Sequence, residues 1–511
     1  MRRLPERVLL AVPAIVIGLL GVVWALSSPL SSSPDEPAHI FRAVSLFSGS
    51  GVKVQLHVEG QAFYGTVRVP EYFARALPSQ QCVVDDVARA ATCESTPIRH
   101  PGRITDINTS AAGHPPVYYL LVGWIGRLIP SSAGVLLMRV FSAVVCGALV
   151  YLGTVVLSRR SRTMYPAVVA MSAVSPVAAF LAGAVNPQSF EICLTFAFVA
   201  LVWDLFSELV DDGTDGPGWL RCSVVLLASA ALGLTRPLSV VFLIAAVIAA
   251  LVVCRVPFRA FLRPKGLIAL GASMIGAPLA VAFELWAGHS SVDLAPADVP
   301  RSFSAVQALL GLVGSLAVQA GGVVSSLEAG PSSLAVAGFL IAVLTAVLFA
   351  VLAGGRTATV VSLVVLAATI ALPVVANIPN VIELNTVIWQ GRYGLPMLVV
   401  ALVVAGLAVA GLDRRWERRM RQRALTIVCW AMAVAHIGGY WFAMYRWSVG
   451  VGGPMWWPAE ARWSPPLAWW LLGTCALAAC IAYAVALPAA ASRYGELRGV
   501  AATGCGPDRD R

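Results

Sequence analysis

Uninterrupted apolar runs recur along almost the whole chain, and many are long enough to cross a lipid bilayer as α-helices. A membrane-spanning helix needs about 20 consecutive apolar residues. The runs predict twelve such helices, at residues 8–26, 132–157, 164–183, 187–206, 220–235, 237–254, 266–287, 331–352, 358–377, 393–411, 424–444 and 466–487. The run at 220–235 is the shortest. The predicted fold class is therefore an all-α polytopic membrane protein.

Two further apolar stretches are ambiguous, and the distribution of basic residues decides how they are interpreted. Cytoplasmic loops of membrane proteins are enriched in Lys and Arg, and the chain has compact basic clusters at 159–162, 255–265 and 414–423. These clusters share one side of the membrane with the N-terminus only if Pro116–Ile129 and Phe303–Val324 do not cross it. We expect both stretches to be helices on the outer face, so that both termini are cytoplasmic.

The composition of the chain supports the same class of protein. Charged residues make up 12% of the 511 residues and hydrophobic residues 58%, whereas a soluble domain has about 25% charged residues. A formal charge of +10 would suit a nucleic-acid partner, but many of the basic residues lie in predicted cytoplasmic segments. The basic excess therefore indicates topology, and we expect membrane lipids, and no nucleic acid, as partners.

One long hydrophilic segment follows the first predicted span, and we expect it to be extracytoplasmic. It contains Cys82 and Cys93, whereas other cysteines, such as Cys146 and Cys429, lie in apolar runs. Disulfides form outside the cytoplasm, so we expect a Cys82–Cys93 bridge to hold a small ordered substructure. The predicted organisation is an N-terminal anchor at 1–26, an extracytoplasmic loop with surface helices at 27–131, a helix bundle at 132–487 and a disordered cytoplasmic tail at 488–511.

The candidate catalytic residues lie just after the first span, in the motif S-P-D-E-P-A-H at 33–39. Asp35 and Glu36 are adjacent carboxylates, and one of them can serve as a general base towards an acceptor hydroxyl. His39 falls one helical turn from both and is a candidate substrate contact. The alternative interpretation is structural, with Asp35 as a helix N-cap. A single Glu-x-x-His spacing lacks the second half of a di-metal site, so we predict no metal site.

Two other motifs carry weaker signals. N-P-Q-S-F-E ends in Glu191, about one turn inside the membrane, where an ionisable side chain is a candidate functional group. An Asn-Pro turn is equally a common structural connection. The motif H-P-P-V-Y-Y at 114–119 opens the first surface helix. We interpret Tyr118 and Tyr119 as membrane anchors at the interface, with His114 as a weaker site candidate.

The motif W-Q-G-R-Y lies at the predicted outer end of the tenth span and contributes Gln390, Arg392 and Tyr393 as candidate substrate contacts. A guanidinium group at this position can bind a lipid phosphate through two hydrogen bonds. Arg236, between two other spans at the same face, is a further candidate. The alternative for both arginines is an interfacial side chain that extends to the lipid headgroups.

Together these motifs resemble the bacterial membrane-protein family known as domain of unknown function twenty-one forty-two. The resemblance runs from about Leu10 to Ala410 and rests on D-E-P-A-H, H-P-P-V-Y-Y, N-P-Q-S-F-E and Q-G-R-Y. That family is similar to the GT-C glycosyltransferases, which have many spans and a large first external loop. The resemblance implies a plasma-membrane enzyme with Asp35 as catalytic carboxylate, Glu36 as its partner and Arg392 on the donor phosphate. It leaves open whether a divalent cation takes part.

The function that this resemblance implies is transfer of a sugar from a polyprenyl-phosphate donor to a glycan or lipid acceptor outside the cytoplasm. Because the predicted cytoplasmic loops are too short to hold a nucleotide-binding domain, the donor is expected to be lipid-borne or to arrive from outside. One alternative is a flippase or transporter of lipid-linked glycans, which should show ionisable groups near the membrane mid-plane. A second alternative is a polymerase or ligase of the O-antigen type, which carries its large external loop late in the chain.

Overall fold

Helices dominate the computed structural model, which describes residues 5–59, 62–80, 82, 86–93, 97–211, 217–287, 305–322, 330–383, 387, 389–412 and 415–503. In chain order the helices are α1 Glu6–Ser27, α2 Glu36–Ser45, α3 Glu71–Ser79, α4 Val117–Leu128, α5 Ser132–Ser161, α6 Tyr165–Ala170, α7 Pro176–Ala182, α8 Pro187–Val210, α9 Trp219–Gly233, α10 Ser239–Val253, α11 Pro264–Met274, α12 Gly276–Ala287, α13 Ala305–Gly321, α14 Ser333–Ala353, α15 Arg356–Glu383, α16 Leu395–Ala408, α17 Arg415–Val449, α18 Trp469–Ile481 and α19 Leu487–Thr503. The strands are β1 Leu56–Glu59, β2 Ala62–Pro70 and β3 Ile104–Thr109.

Eight helices in the described part of the chain are long and apolar enough to cross a membrane, and they match eight of the twelve predicted spans. They are Glu6–Ser27, Ser132–Ser161, Pro187–Val210, Ser333–Ala353, Arg356–Pro379, Gly391–Ala408, Glu417–Val449 and Trp469–Arg498. The predicted class, a helical polytopic membrane protein, is confirmed.

The other four predicted spans are not single continuous helices of spanning length. The run at 164–183 forms α6, a short 3-10 turn and α7, with a bend of 84°, and the run at 266–287 forms α11 and α12 with a bend of 41°. Helices α9 and α10 have 15 residues each, so each is about 22 Å long against a hydrocarbon core of about 30 Å. Counting each bent pair as one span gives up to ten, so the count of twelve is not confirmed.

The loop at 27–131 contains a small β-sheet that the all-α prediction missed. Strand β2 pairs antiparallel with both β1 and β3, in the order β1-β2-β3. Val67 and Val69 are buried on one face while Arg68 between them is exposed, which is the alternation expected of a strand with one covered face. Helices α2 and α3 pack against this sheet. The expected ordered substructure is therefore present, as a mixed helix and sheet unit.

The predicted disulfide between Cys82 and Cys93 is present, and the segment beside it is attached to the helix bundle. The Arg446 side chain near the end of α17 donates to the Arg89 carbonyl at 3.0 Å, and the Ala91 N–H donates to the Trp447 carbonyl at 2.8 Å. These contacts attach the loop to one end of the bundle, which we call the loop end.

The first and last described helices, α1 and α19, meet at the opposite end of the bundle. Glu6 at the start of α1 accepts from Arg498 in α19 at 2.8 Å and lies 3.5 Å from Arg159 near the end of α5. The prediction of a disordered tail from residue 488 is wrong for 488–503, which are helical, because Tyr494 is buried in the bundle. Residues 504–511 lie outside the described residues.

Both predicted surface helices form, and both adjoin the loop end. Helix α4 packs against α2 so closely that a Cβ atom on Gly123 would lie 2.0 Å from the Ala43 carbonyl oxygen. Helix α13 carries Gln319, whose Oε1 accepts from the Gly391 N–H at 2.7 Å. The first and last residues of the second predicted helix, at 303–304 and 323–324, lie outside the described residues. These two helices therefore position α2 and the segment that contains Arg392.

Candidate active site

A largely polar cavity of about 230 Å³ at the loop end brings together five segments that are far apart in sequence. Its lining consists of Asp35, His39, Ser110, Ala111, His114, Asn186, Gln188, Arg236, Arg392 and Tyr393. Five of the eight residues predicted as catalytic or substrate-binding are in this lining. The other three, Glu36, Glu191 and Gln390, are not part of it.

Asp35 supplies the carboxylate of the cavity. Its Oδ2 lies 3.3 Å from Arg392 Nη2, and its side chain is 59% exposed. The residue occupies the N-cap position of α2, but its backbone is left-handed, with φ +60°, and its side chain makes no capping hydrogen bond. The N-cap interpretation is therefore wrong. Asp adopts this conformation more readily than most residues, and here its carboxylate reaches the cavity instead of the α2 backbone.

Two guanidinium groups flank the ring of Tyr393. The Cζ atoms of Arg236 and Arg392 lie 4.9 Å and 5.2 Å from the ring centroid, within the range of a cation–π interaction. Arg236 also donates to the buried Glu191 at 3.2 Å, which accepts from Ser239 Oγ. Glu191 thus orients Arg236 from outside the cavity, and the prediction that it contacts substrate directly is not supported by its position.

Glu36 points into the bundle, away from the cavity, which contradicts its predicted role as a second catalytic carboxylate. Its oxygens accept from Arg139 Nε at 2.8 Å and Nη2 at 2.6 Å, and both side chains are fully buried. Glu36 Oε1 also accepts from the Val185 N–H at 3.0 Å. Arg139 donates in turn to the carbonyls of Ser28 and Pro29, each at 2.9 Å. This network fixes the segment that carries Asp35.

Arg139 is a site-supporting residue that the sequence interpretation missed. It lies in the apolar run 132–157, and an arginine inside such a run is a recognisable signal because an unpaired charge there is costly. That signal shows that a partner must exist but does not identify Glu36, which is 103 positions away.

His39 and His114 are joined through the hydroxyl of Tyr119. Their Nδ1 atoms lie 2.9 Å and 3.0 Å from Tyr119 Oη. Burial and the nearby charges of Arg236 and Arg392 lower the pKa of His39 to about 3, so this imidazole is neutral at physiological pH. Tyr119 is fully buried and Tyr118 is 1% exposed. The interpretation of both tyrosines as membrane anchors is therefore wrong.

The Asn-Pro turn contributes two further polar residues whose roles were not recognised. Asn186 Nδ2 donates to the Pro34 carbonyl at 3.1 Å, and its Oδ1 accepts from the Gln188 N–H at 3.0 Å, which caps α8. The Gln188 side chain is buried in the cavity wall, and its Nε2 has no hydrogen-bond partner among the described residues. Gln390, outside the lining, has a buried Oε1 that likewise finds no partner in the described part of the chain. Of these two groups, only Gln188 belongs to the cavity lining.

A family model described as "Predicted membrane protein (DUF2142)" matches residues 19–402, about three quarters of the chain. The protein belongs to the DUF2142 family. The family resemblance inferred from the motifs is thereby confirmed.

Two solved structures are similar to this DUF2142 protein. One is ArnT from Cupriavidus metallidurans bound to undecaprenyl phosphate, at 13% identity and a TM-score of 0.41, covering 97% of this chain and 78% of that one. The other is the same protein in the apo state, at 12% identity and a TM-score of 0.43, covering 95% and 76%. No curated protein matches the chain.

The chemistry available in the DUF2142 cavity follows from its side chains. The lining holds two arginines and one aspartate, and Arg236 is also paired with Glu191 outside the lining, so the guanidinium groups, and not a net positive charge, are what the cavity offers a negatively charged ligand. Arginine binds phosphate and carboxylate oxygens through paired hydrogen bonds. In the part of the chain that the structure describes, no group of three or more His, Cys, Asp or Glu side chains is arranged to hold a metal ion. The cavity therefore combines two guanidinium groups with an accessible carboxylate.

Proposed function

We propose that the protein is an integral membrane glycosyltransferase, which moves a sugar from a polyprenyl-phosphate donor to an extracytoplasmic acceptor in the cell envelope. The observation that carries the proposal is the arrangement of Asp35, Arg236 and Arg392 around one cavity. Asp35 is the base, and the two arginines hold the donor phosphate. The donor enters from the membrane, and a glycan or lipid hydroxyl is the acceptor.

The proposed reaction uses each of these groups once. Asp35 takes the proton of the acceptor hydroxyl as the acceptor oxygen forms its bond to the anomeric carbon. The bond between that carbon and the phosphate oxygen breaks, and its electron pair remains on the departing polyprenyl phosphate. Arg392 and Arg236 stabilise the negative charge that develops on the phosphate. Glu36, Glu191 and Arg139 act only through the residues that they position.

Charge neutralisation by two guanidinium groups replaces the role that a divalent cation plays in many phosphate-transfer sites. We therefore propose that transfer continues in the presence of EDTA. A loss of activity that added Mg²⁺ or Mn²⁺ restores would contradict this part of the proposal.

The test is a transfer assay with protein reconstituted in liposomes, a panel of polyprenyl-phosphate hexoses and pentoses, and a cell-envelope extract as acceptor. Asp35→Asn should lower the transfer rate by about 10²–10⁴-fold, the contribution typical of a general base. Asp106→Asn, an exposed aspartate of strand β3 in the same loop, is the matched control and should leave the rate unchanged. Full activity in a folded Asp35→Asn variant would refute the assigned base.

Arginine substitutions test donor binding separately. Arg392→Ala should raise the donor KM, because the phosphate loses a charge-assisted contact of about 1.5–3 kcal/mol, whereas Arg103→Ala, exposed in the loop, should not. An equal effect of both substitutions would contradict phosphate binding by Arg392.

One observation favours the alternative of a transporter for lipid-linked glycans. The 84° break between α6 and α7 is a broken helix of the kind that transporters use at their binding sites. The same liposomes separate the two functions, because a transporter moves the lipid-linked sugar across the bilayer without breaking its bond to phosphate. We favour the transferase because the cavity, with its base and two arginines, lies at the loop end.

A further inference from the structure

The cavity is also lined by two histidines, His39 and His114. Both lie within hydrogen-bond distance of the same tyrosine hydroxyl, so the bond that one histidine makes limits the bond that the other can make. Tyr119 Oη is within hydrogen-bond distance of His39 Nδ1 and His114 Nδ1, and the two imidazole centroids are 5.7 Å apart. A tyrosine hydroxyl has one proton to donate. It can therefore donate to at most one of the two histidines. In the arrangement that uses the hydroxyl proton within this trio, Tyr119 donates to one histidine and accepts from the other.

This constraint gives the two histidines opposite tautomers when both are neutral. The histidine that accepts from Tyr119 carries its proton on Nε2, and the histidine that donates to Tyr119 carries it on Nδ1. Burial raises the pKa of Tyr119, so the tyrosine keeps its proton and the chain of hydrogen bonds runs in one direction.

The surrounding charges decide that direction. The charged groups that influence His39 are Arg236 and Arg392, both positive, while Arg42, Arg236 and Asp35 lie near enough to affect Tyr119. A lone pair on His39 Nε2 is favoured beside two guanidinium groups, whereas an N–H dipole pointing towards them is disfavoured. His39 therefore donates from Nδ1 to Tyr119, and Tyr119 donates to His114 Nδ1.

We propose that Tyr119 locks His39 in the Nδ1–H tautomer, so that its unprotonated Nε2 faces the cavity as a fixed hydrogen-bond acceptor for a neutral hydroxyl group of the substrate. The proposal deepens the proposed function, on which its kinetic part rests. His39 lines the same cavity as Asp35, and its Nδ1 is engaged by Tyr119, so Nε2 is the ring nitrogen available to a ligand.

The arrangement divides the cavity into two parts with different ligand chemistry. Arg236 and Arg392 attract an anion, whereas an imidazole lone pair repels the oxygens of a phosphate or carboxylate and accepts from O–H. The unpaired Nε2 of Gln188 adds a donor for a hydroxyl oxygen in the same lining. A substrate with one anionic group and a neighbouring polyhydroxylated ring satisfies both parts.

The tautomers can be measured without any substrate. Protein labelled with 15N-histidine and reconstituted in lipid nanodiscs has six histidines, and His39→Gln and His114→Gln assign the two relevant signals. The 15N shifts and one-bond N–H couplings should show His39 protonated at Nδ1 and His114 protonated at Nε2. The reverse pair, the same tautomer in both rings, or a charged His39 at pH 7 would overturn the proposal.

Tyr119→Phe tests the locking role, and Tyr118→Phe is its matched control. Tyr118 is an adjacent buried tyrosine whose hydroxyl contacts Ser142 Oγ at 3.1 Å instead of a histidine. Tyr119→Phe should convert the His39 signal into a mixture of tautomers, while Tyr118→Phe should leave it unchanged. If both variants leave the His39 tautomer unchanged, Tyr119 is not the lock. If Tyr119→Phe fails to fold, the measurement on the unmodified protein still decides the tautomers.

The kinetic part uses the transfer assay described above. Tyr119→Phe should raise the acceptor KM by up to about tenfold, the effect of one hydrogen bond, and should leave the donor KM unchanged. A rise in the donor KM alone would overturn the assignment of His39 to the acceptor hydroxyl. If the predicted tautomers are observed but no transfer occurs with any donor, the proposed function fails while the hydrogen-bond chain stands.

Discussion

At the scale of single residues, two adjacent carboxylates have opposite environments. Asp35 is more than half exposed beside Arg392, whereas Glu36 is fully buried against Arg139. Their adjacency in the sequence predicted a functional pair. That prediction failed for Glu36 because the sequence does not show that Asp35 has a left-handed backbone just before α2, which points the two side chains in different directions. Asp35 could be predicted as a site residue from its motif. The structural role of Glu36 depends on Arg139, a partner that is distant in sequence.

The ion pair between Glu36 and Arg139 should dominate the stability of the loop end. Arg139→Met leaves a buried, unpaired carboxylate, and breaking such a pair costs about 3–5 kcal/mol. Thermal unfolding in detergent should therefore show a large loss for Arg139→Met. The control is Arg160→Met, which removes the partly exposed pair with Asp211 and should cost about 1 kcal/mol or less. Equal losses in both variants would show that the buried pair has no special role.

The lowered pKa of His39 predicts a loss of stability in acid. The native pKa is about 3 and the unfolded value about 6.5, so below pH 6.5 the unfolded chain binds a proton that the native protein does not. This site should therefore destabilise the fold by about 2 kcal/mol between pH 7 and pH 5. Unfolding measured at both pH values should depend less on pH in His39→Gln, and His100→Gln, at an exposed position, should behave like the unmodified protein.

At the scale of elements, apolar length predicted eight spans because it is a local property of the sequence. The breaks at α6–α7 and α11–α12 were missed because a continuous apolar run does not show where a helix bends. The pairing of β3 was missed for a different reason, since it joins β2 across a 33-residue separation. The cavity depends on contacts among five segments. The sequence could identify candidate residues in each motif separately, but it could not show which of them meet in one cavity.

The contact between α2 and α4 should be the most sensitive helix contact near the site. Gly123→Ala places a methyl group 2.0 Å from the Ala43 carbonyl oxygen, so the two backbones must move apart. We expect a loss of about 1–3 kcal/mol and reduced transfer, because α2 carries His39 and follows Asp35. Gly18→Ala is the control, since a Cβ on Gly18 in α1 meets nothing within 4 Å and should be neutral or slightly stabilising. A neutral Gly123→Ala variant would show that the contact is loose.

At the scale of the whole molecule, the helices orient the chain with the cavity at one end and basic residues such as Arg159, Arg421 and Arg498 at the other. Helix α17 begins at Arg415 and ends beside the loop. Near its start, Arg421 donates to the Ala410 carbonyl just after the end of α16, and α16 begins next to the segment that contains Arg392. Glu6 forms ion pairs with Arg159 and Arg498. Both ends of the described chain therefore lie at the same end of the bundle as these basic residues. The positive-inside rule then predicts that this end is cytoplasmic and the cavity extracytoplasmic.

Cysteine labelling tests this orientation directly. Gly102→Cys lies at an exposed position of the loop with open space around it, and Arg7→Cys lies at an exposed position beside Glu6 at the opposite end. Both are made in a background with Cys475→Ser and Cys505→Ser, because Cys475 is exposed and Cys505 lies outside the described residues. A membrane-impermeant maleimide should label Gly102→Cys in intact cells and Arg7→Cys only after permeabilisation. The reverse pattern would place the cavity in the cytoplasm, where a nucleotide-linked donor could reach it, and would remove the reason for a lipid-borne donor.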